Sequence, residues 1–117
     1  NKPITTISDE EEKIREQMKT DFSSYFDYLK NLKNDGSFSE FFKTYDELHA
    51  ETERFVQNKY KVNLKTFIEE YNSAKFGEEY RRLIHSVSME KYAPIHEAEH
   101  IESLYNDILN IYSEITK

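Results

Sequence analysis

The apolar residues of this chain recur at steps of three and four, and nowhere do they alternate for long enough to make a strand. The last segment is the cleanest case. Ala98, Ile101, Tyr105, Ile108, Tyr112 and Ile115 fall on one helix face, and Leu104, Leu109 and Ile111 widen the stripe. A chain with this period alone must bury its stripes by packing helix on helix.

The same period runs upstream. Ile14, Met18, Phe22, Tyr25, Leu29 and Leu32 share one face. Ser8 and Glu11 form an expected capping box ahead of them, and Asp9, Glu10 and Glu11 complement the positive end of the helix dipole. Asn34-Asp35-Gly36 is a stop signal. A second capping box, Ser37 with Glu40, then opens the stripe Phe38, Phe41, Phe42, Tyr45, Leu48, Thr52, Phe55 and Val56, a helix of about five turns. The pattern breaks over 58–63. Asn63 caps a shorter helix with Leu64, Phe67, Ile68 and Tyr71, which fades at Asn72-Ser73. Phe76-Gly77 is expected to precede a fourth helix that turns Tyr80, Leu83, Ile84 and Val87 inward, and Pro94 ends or interrupts it. The expectation is an all-α fold, a single irregular bundle of about five helices. Its two long N-terminal helices form an antiparallel hairpin, and a long C-terminal helix closes it. Residues 1–7 read as an extended lead-in and 8–117 as one helical domain.

Composition narrows the function. Nine Tyr and eight Phe supply a core despite 33% charged residues, so disorder is not expected. Without cysteine there are no disulfides, thiolate nucleophiles, iron–sulfur clusters or Cys-containing zinc sites. Gly36 and Gly77 are the only glycines, which excludes Gly-rich phosphate loops and dinucleotide fingerprints. The net charge of −7 argues against nucleic acid or an anionic membrane as the main partner, and Lys59, Lys61 and Lys65 read as a solvated loop. No apolar run reaches the roughly 18–20 residues of a membrane span. The start at Asn1 rather than Met predicts a fragment or a processed product, from which an anchor could have been removed. No cofactor is expected.

One motif points to an enzyme. His96-Glu97-Ala98-Glu99-His100 matches His-Glu-x-x-His, in which two imidazoles four apart on a helix bind zinc and the Glu activates its water. Pro94 stands too close for the motif helix to be running at His96, Glu99 charges a position that should pack inward, and no His follows His100. His96 and His100 are therefore candidate metal ligands without a convincing third, and a small zinc-dependent hydrolase ranks behind the non-enzymatic readings. The bland alternative is an acidic first turn, Glu97 and Glu99 on the helix dipole, with both histidines partly exposed. His49 and His85 each stand alone on a helix face and read as boundary or packing residues rather than ligands. Glu69-Glu70 and Glu78-Glu79 diverge on a helix and make no acid–base pair.

An ordered series of segments carries a resemblance. It runs from Phe41-Phe42-Lys43-Thr44-Tyr45-Asp46-Glu47-Leu48 through Lys59-Tyr60-Lys61-Val62, the helix beginning at Leu64, and Arg81-Arg82-Leu83-Ile84. It continues through Glu90-Lys91-Tyr92-Ala93-Pro94 into Ile101, Leu104-Tyr105-Asn106-Asp107-Ile108 and Ile111. Over roughly residues 20–116 this resembles the C-terminal helical domain of the BatD-type aerotolerance proteins of bacteria. The resemblance implies a helical tail on the cytoplasmic side of the bacterial inner membrane, beside MoxR-type ATPases and von Willebrand A-domain membrane proteins, in stress tolerance and envelope assembly. It implies no catalytic residues, and membrane attachment only through a segment outside this chain. The second helix here lacks the family's Trp.

Tyr92, Ala93 and Pro94 read as a structural corner. Pro94 fixes its φ and has no amide proton to lose, and Tyr92 is expected to bury its ring while its hydroxyl finds a partner. The expected function is a non-enzymatic interaction domain that docks onto a MoxR-type ATPase or a von Willebrand A-domain protein. Its rival is a processed surface lipoprotein domain that binds a host or small ligand between its helices. Pattern alone does not separate exposed from buried aromatics, so it names no docking residue.

Overall fold

Between Leu32 and Ser37 the chain reverses in two backbone hydrogen bonds. The Ser37 amide donates to the Leu32 carbonyl at 2.9 Å and the Gly36 amide to Lys33 at 3.2 Å. Gly36 has φ +76°, the left-handed conformation that closes a helix C-terminus and suits a residue without Cβ. This turn joins α1, Phe22–Asp35, to α2, Phe38–Tyr60. They run antiparallel, with the rings of Phe22 and Phe55 edge to face at 5.5 Å at the open end of the hairpin.

The computed structural model describes residues 22–71 and 73–117, leaving the side chain of Tyr71 aside. The lead-in over 1–7, the Ser8–Glu11 capping box with its acidic first turn, the stripe positions Ile14 and Met18, and Asn72 lie outside the described residues. Three further helices follow the hairpin: α3, Leu64–Tyr71; α4, Ala74–Lys91; and α5, Ala98–Ile115. Among the described residues there is no strand, and the fold is an all-α bundle.

The three-and-four stripes form its core. On α5, Ile101, Ile108, Tyr112 and Ile115 are fully buried, between α1 and α2 on one side and α4 on the other. Each large aliphatic buried this way contributes about 1.5–3 kcal/mol relative to exposure. Leu29, Phe41, Leu48 and Val56 bring the hairpin into the same core. Ala98, placed on the stripe by its spacing, is exposed, because it is the first residue of α5 and lies beyond the core's edge. Lys33 fastens the end of α1 to α5, with Nζ 2.7 Å from Glu102 and 5.4 Å from the centre of the Tyr105 ring.

Helix starts follow capping chemistry unevenly. Asn63 Oδ1 accepts from the Thr66 amide at 2.8 Å, as its position predicts. The capping box expected at Ser37 does not form. The two-residue turn holds Ser37 at φ −85°, ψ 67°, outside the extended conformation that aims a capping hydroxyl at the helix, and its side chain makes no cap bond. Ser73 is extended and does cap, accepting from the Phe76 amide at 3.1 Å. Helix α4 therefore starts before Phe76, and Gly77 lies inside its first turns, buried against Ile68 of α3, rather than ahead of the helix. Lys61 closes α2 at φ +62°.

Candidate functional site

Two groups of side chains combine polar chemistry with access to solvent. The first is the corner between α4 and α5. Helix α4 stops at Lys91, Pro94 stands in the turn, and α5 begins at Ala98. His96 therefore precedes the helix and His100 lies in its first turn, so the two do not share a helix face as the His-Glu-x-x-His arrangement requires. They meet instead at one carboxylate from α4. Glu90 Oε2 is 3.1 Å from His96 Nδ1, and Glu90 Oε1 is 3.4 Å from His100 Nδ1. Glu97 reaches His100 Nε2 at 3.6 Å.

Among the described residues, no group of three or more His, Asp or Glu side chains is arranged to hold a metal ion. The donors of this cluster are turned toward one another, with Nδ1 of both imidazoles on the Glu90 carboxylate. That arrangement pins a corner and does not present an open coordination site. His96 is further fixed by aromatic rings, edge to face with Phe38 at 6.0 Å and tilted on Phe42 at 5.4 Å. Glu90 thus holds His96 and His100 across the segment 92–97 that joins α4 to α5.

The expectation for the Tyr92 ring is overturned. His96 fills the space beneath the turn, and Tyr92 is 78% exposed, with Lys91 Nζ 5.8 Å from its ring centre. Met89 and Ile95 are 64% and 76% exposed. The described residues have four exposed large hydrophobics, and three of them lie within residues 89–95. Single exposed apolar residues are ordinary, but Met89 and Ile95 line one groove together, while Tyr92 lines the groove on the α2 side. Met89, Ala93, Pro94 and Ile95 line a groove of about 660 Å³ that Glu90, Glu97, His85 and His100 border.

The second group lies in the core. The Tyr45 and Tyr112 hydroxyls are 2.6 Å apart, and the Tyr112 hydroxyl is 2.9 Å from His49 Nδ1. His49 Nε2 faces Glu53 Oε2 at 3.7 Å. With the imidazole proton on Nε2, every group is satisfied: Tyr45 donates to Tyr112, Tyr112 to Nδ1, and Nε2–H points at Glu53. His49 is thus the link between a buried phenol pair and the surface. It opens into a groove of about 410 Å³ between α2 and α4, where Lys91 donates to Asp46 at 2.8 Å. That bond raises the Lys91 pKa.

Burial raises the pKa of the Tyr45 and Tyr112 phenols, and burial with the nearby Glu53 carboxylate pushes Tyr80 up to about 12. A phenol so placed keeps its proton at neutral pH, so it donates hydrogen bonds and does not serve as a base. Sequence reasoning missed this chain and the part played by Glu90. The signal was present: Tyr45 and Tyr112 sit on core stripes, where a hydroxyl must find a partner, and His49 lies one turn from Tyr45.

A third groove, of about 980 Å³, runs beside Phe22, Phe26 and Phe55. Its cations are engaged: Arg54 pairs with Glu51, and Lys59 donates to the Lys117 carbonyl at 2.9 Å.

Comparison of the chain with protein-family models, with curated proteins and with solved structures finds no match.

Proposed function

We propose that this chain is a helical protein-interaction domain that docks through the α4–α5 corner. One observation carries the reading: Met89 and Ile95, both exposed, line one groove at a corner that Glu90 holds through His96 and His100. Exposed apolar side chains on a rigid support bind at small entropic cost, because little must be ordered on association. The buried polar groups fit the same reading, since the raised phenols serve the packing of α2 against α5.

The resemblance to BatD-type tails extends the proposal to a setting. The domain would lie at the cytoplasmic side of the bacterial inner membrane and bind a MoxR-type ATPase or a von Willebrand A-domain protein. No described helix is long and apolar enough to cross a membrane, so attachment would come through another segment. Affinity purification of the full-length protein from its own organism tests the setting. Recovery of either partner supports it, and recovery of neither, with the bait intact, overturns it.

A second reading, a domain that binds a small apolar ligand between its helices, draws on the groove beside Phe22, Phe26 and Phe55. Saturable binding of a fluorescent fatty acid, lost in Phe55→Ser, would favour it.

A further inference from the structure

We infer that the groove at the α4–α5 corner receives a basic amphipathic segment of a partner protein, an apolar side chain flanked by Lys or Arg. This rests on the reading of the corner as a docking surface and names the chemistry of what docks. The groove floor is apolar, built from Met89, Ala93, Pro94 and Ile95. Its charged border is one-sided: Glu90 and Glu97 line it, and no lysine or arginine does. The side chain of Glu97 is more than half exposed. Glu99 adds a further exposed carboxylate on the first turn of α5. Glu90 is already engaged by His96 and His100, so the carboxylates open to a partner are Glu97 and Glu99. A Lys or Arg beside the apolar anchor pairs with them, where a purely apolar segment would only desolvate them. An acidic segment would meet like charge on a chain of net charge −7. Lys91, which ends α4, is held by Asp46 at 2.8 Å and lines the other groove.

The test uses the full 117-residue chain labelled with nitrogen-15 and two synthetic peptides with identical leucine spacing, one with lysine and one with glutamate at its polar positions. The expected result is that the lysine peptide shifts the amides of Met89, Ile95, Glu97 and His100 and the glutamate peptide shifts none. Met89→Ser/Ile95→Ser should weaken the lysine peptide at least about tenfold. Glu97→Gln should weaken it roughly two- to fivefold, an effect that added salt erases. All three positions are exposed, so circular dichroism should show the fold unchanged in every variant. If both peptides bind equally and both lose affinity in Met89→Ser/Ile95→Ser, the docking corner stands and the basic partner is refuted. If the shifts map to Phe22, Phe26 and Phe55, or the double variant binds as well as the parent, the corner itself is refuted. Concentration-dependent self-association through Met89 and Ile95, without peptide binding, would assign the groove to a second copy of this chain and overturn the inference.

Discussion

Tyr112 is the middle member of a buried hydrogen-bond chain, and Tyr45 is its end. The hydroxyl of Tyr112 lies 2.6 Å from that of Tyr45 and 2.9 Å from His49 Nδ1, so it alone touches both neighbours. Position in the chain therefore decides what each hydroxyl is worth.

Tyr112→Phe leaves the Tyr45 hydroxyl and His49 Nδ1 without their partner, and should lower stability by about 1–3 kcal/mol. Tyr45→Phe removes only the terminal donor and should cost about 0.5–1.5 kcal/mol. The double variant should cost less than the sum of the two, because the second removal no longer strands a buried group. Urea unfolding of the three variants measures this, and strictly additive costs would contradict the chain.

The same phenols set an alkaline limit. Burial raises Tyr45 and Tyr112, and Tyr80 is pushed up to about 12. In the unfolded chain a tyrosine loses its proton near pH 10. A pKa raised by folding contributes stability that is whole below the unfolded value and falls as pH climbs through the folded one. Stability should thus show no dependence on these phenols up to about pH 9 and decline above about pH 10. Absorbance at 295 nm should show Tyr45, Tyr80 and Tyr112 ionising only above about pH 10 or with unfolding.

The two glycines should respond oppositely to one substitution. At Gly36 a Cβ meets nothing, but φ is +76°, so Gly36→Ala should cost about 1–2 kcal/mol from the backbone alone. At Gly77 the backbone is helical and a Cβ would touch Ile68 at 3.8 Å and the Arg81 guanidinium at 3.4 Å, ordinary contacts. Gly77→Ala should therefore stabilise by about 0.4–1 kcal/mol. Thermal unfolding of both variants reads the two signs.

Removing the carboxylate that both corner histidines share should loosen the turn more than the fold. Glu90→Ala takes away contacts at 3.1 and 3.4 Å to two residues beyond the end of α4. Amide exchange over residues 92–97 should accelerate, while α2 and α5 keep their protection. Uniform acceleration would show that Glu90 supports the core.

The helices were legible in the sequence because apolar period is a local property. The stripe of α5 and the stop at Gly36 read correctly from residue order alone. The starts were less legible. Ser37 and Ser73 are the same residue type, but the two-residue turn fixes the backbone of one away from capping geometry and leaves the other free to cap. Gly77 read as a boundary because glycine is a poor helix former, whereas Ser73 caps α4 ahead of it and leaves it inside the first turns. The candidate site was legible only in part. The spacing of His96 and His100 brought them to notice, but Glu90 lies six and ten positions earlier, and a turn rather than a helical period brings it to them. The exposure of Tyr92 was hidden for a related reason: which aromatic fills a corner depends on His96 having taken the space.

The central claim is that the α4–α5 corner is where this domain binds protein. Isothermal titration of the full-length protein with a purified MoxR-type ATPase and with a von Willebrand A-domain protein from the same organism tests it most directly. The account predicts saturable binding to one of them, weakened at least about tenfold by Met89→Ser/Ile95→Ser in a protein that keeps its fold. Binding to neither, or equal affinity in the double variant, would contradict it.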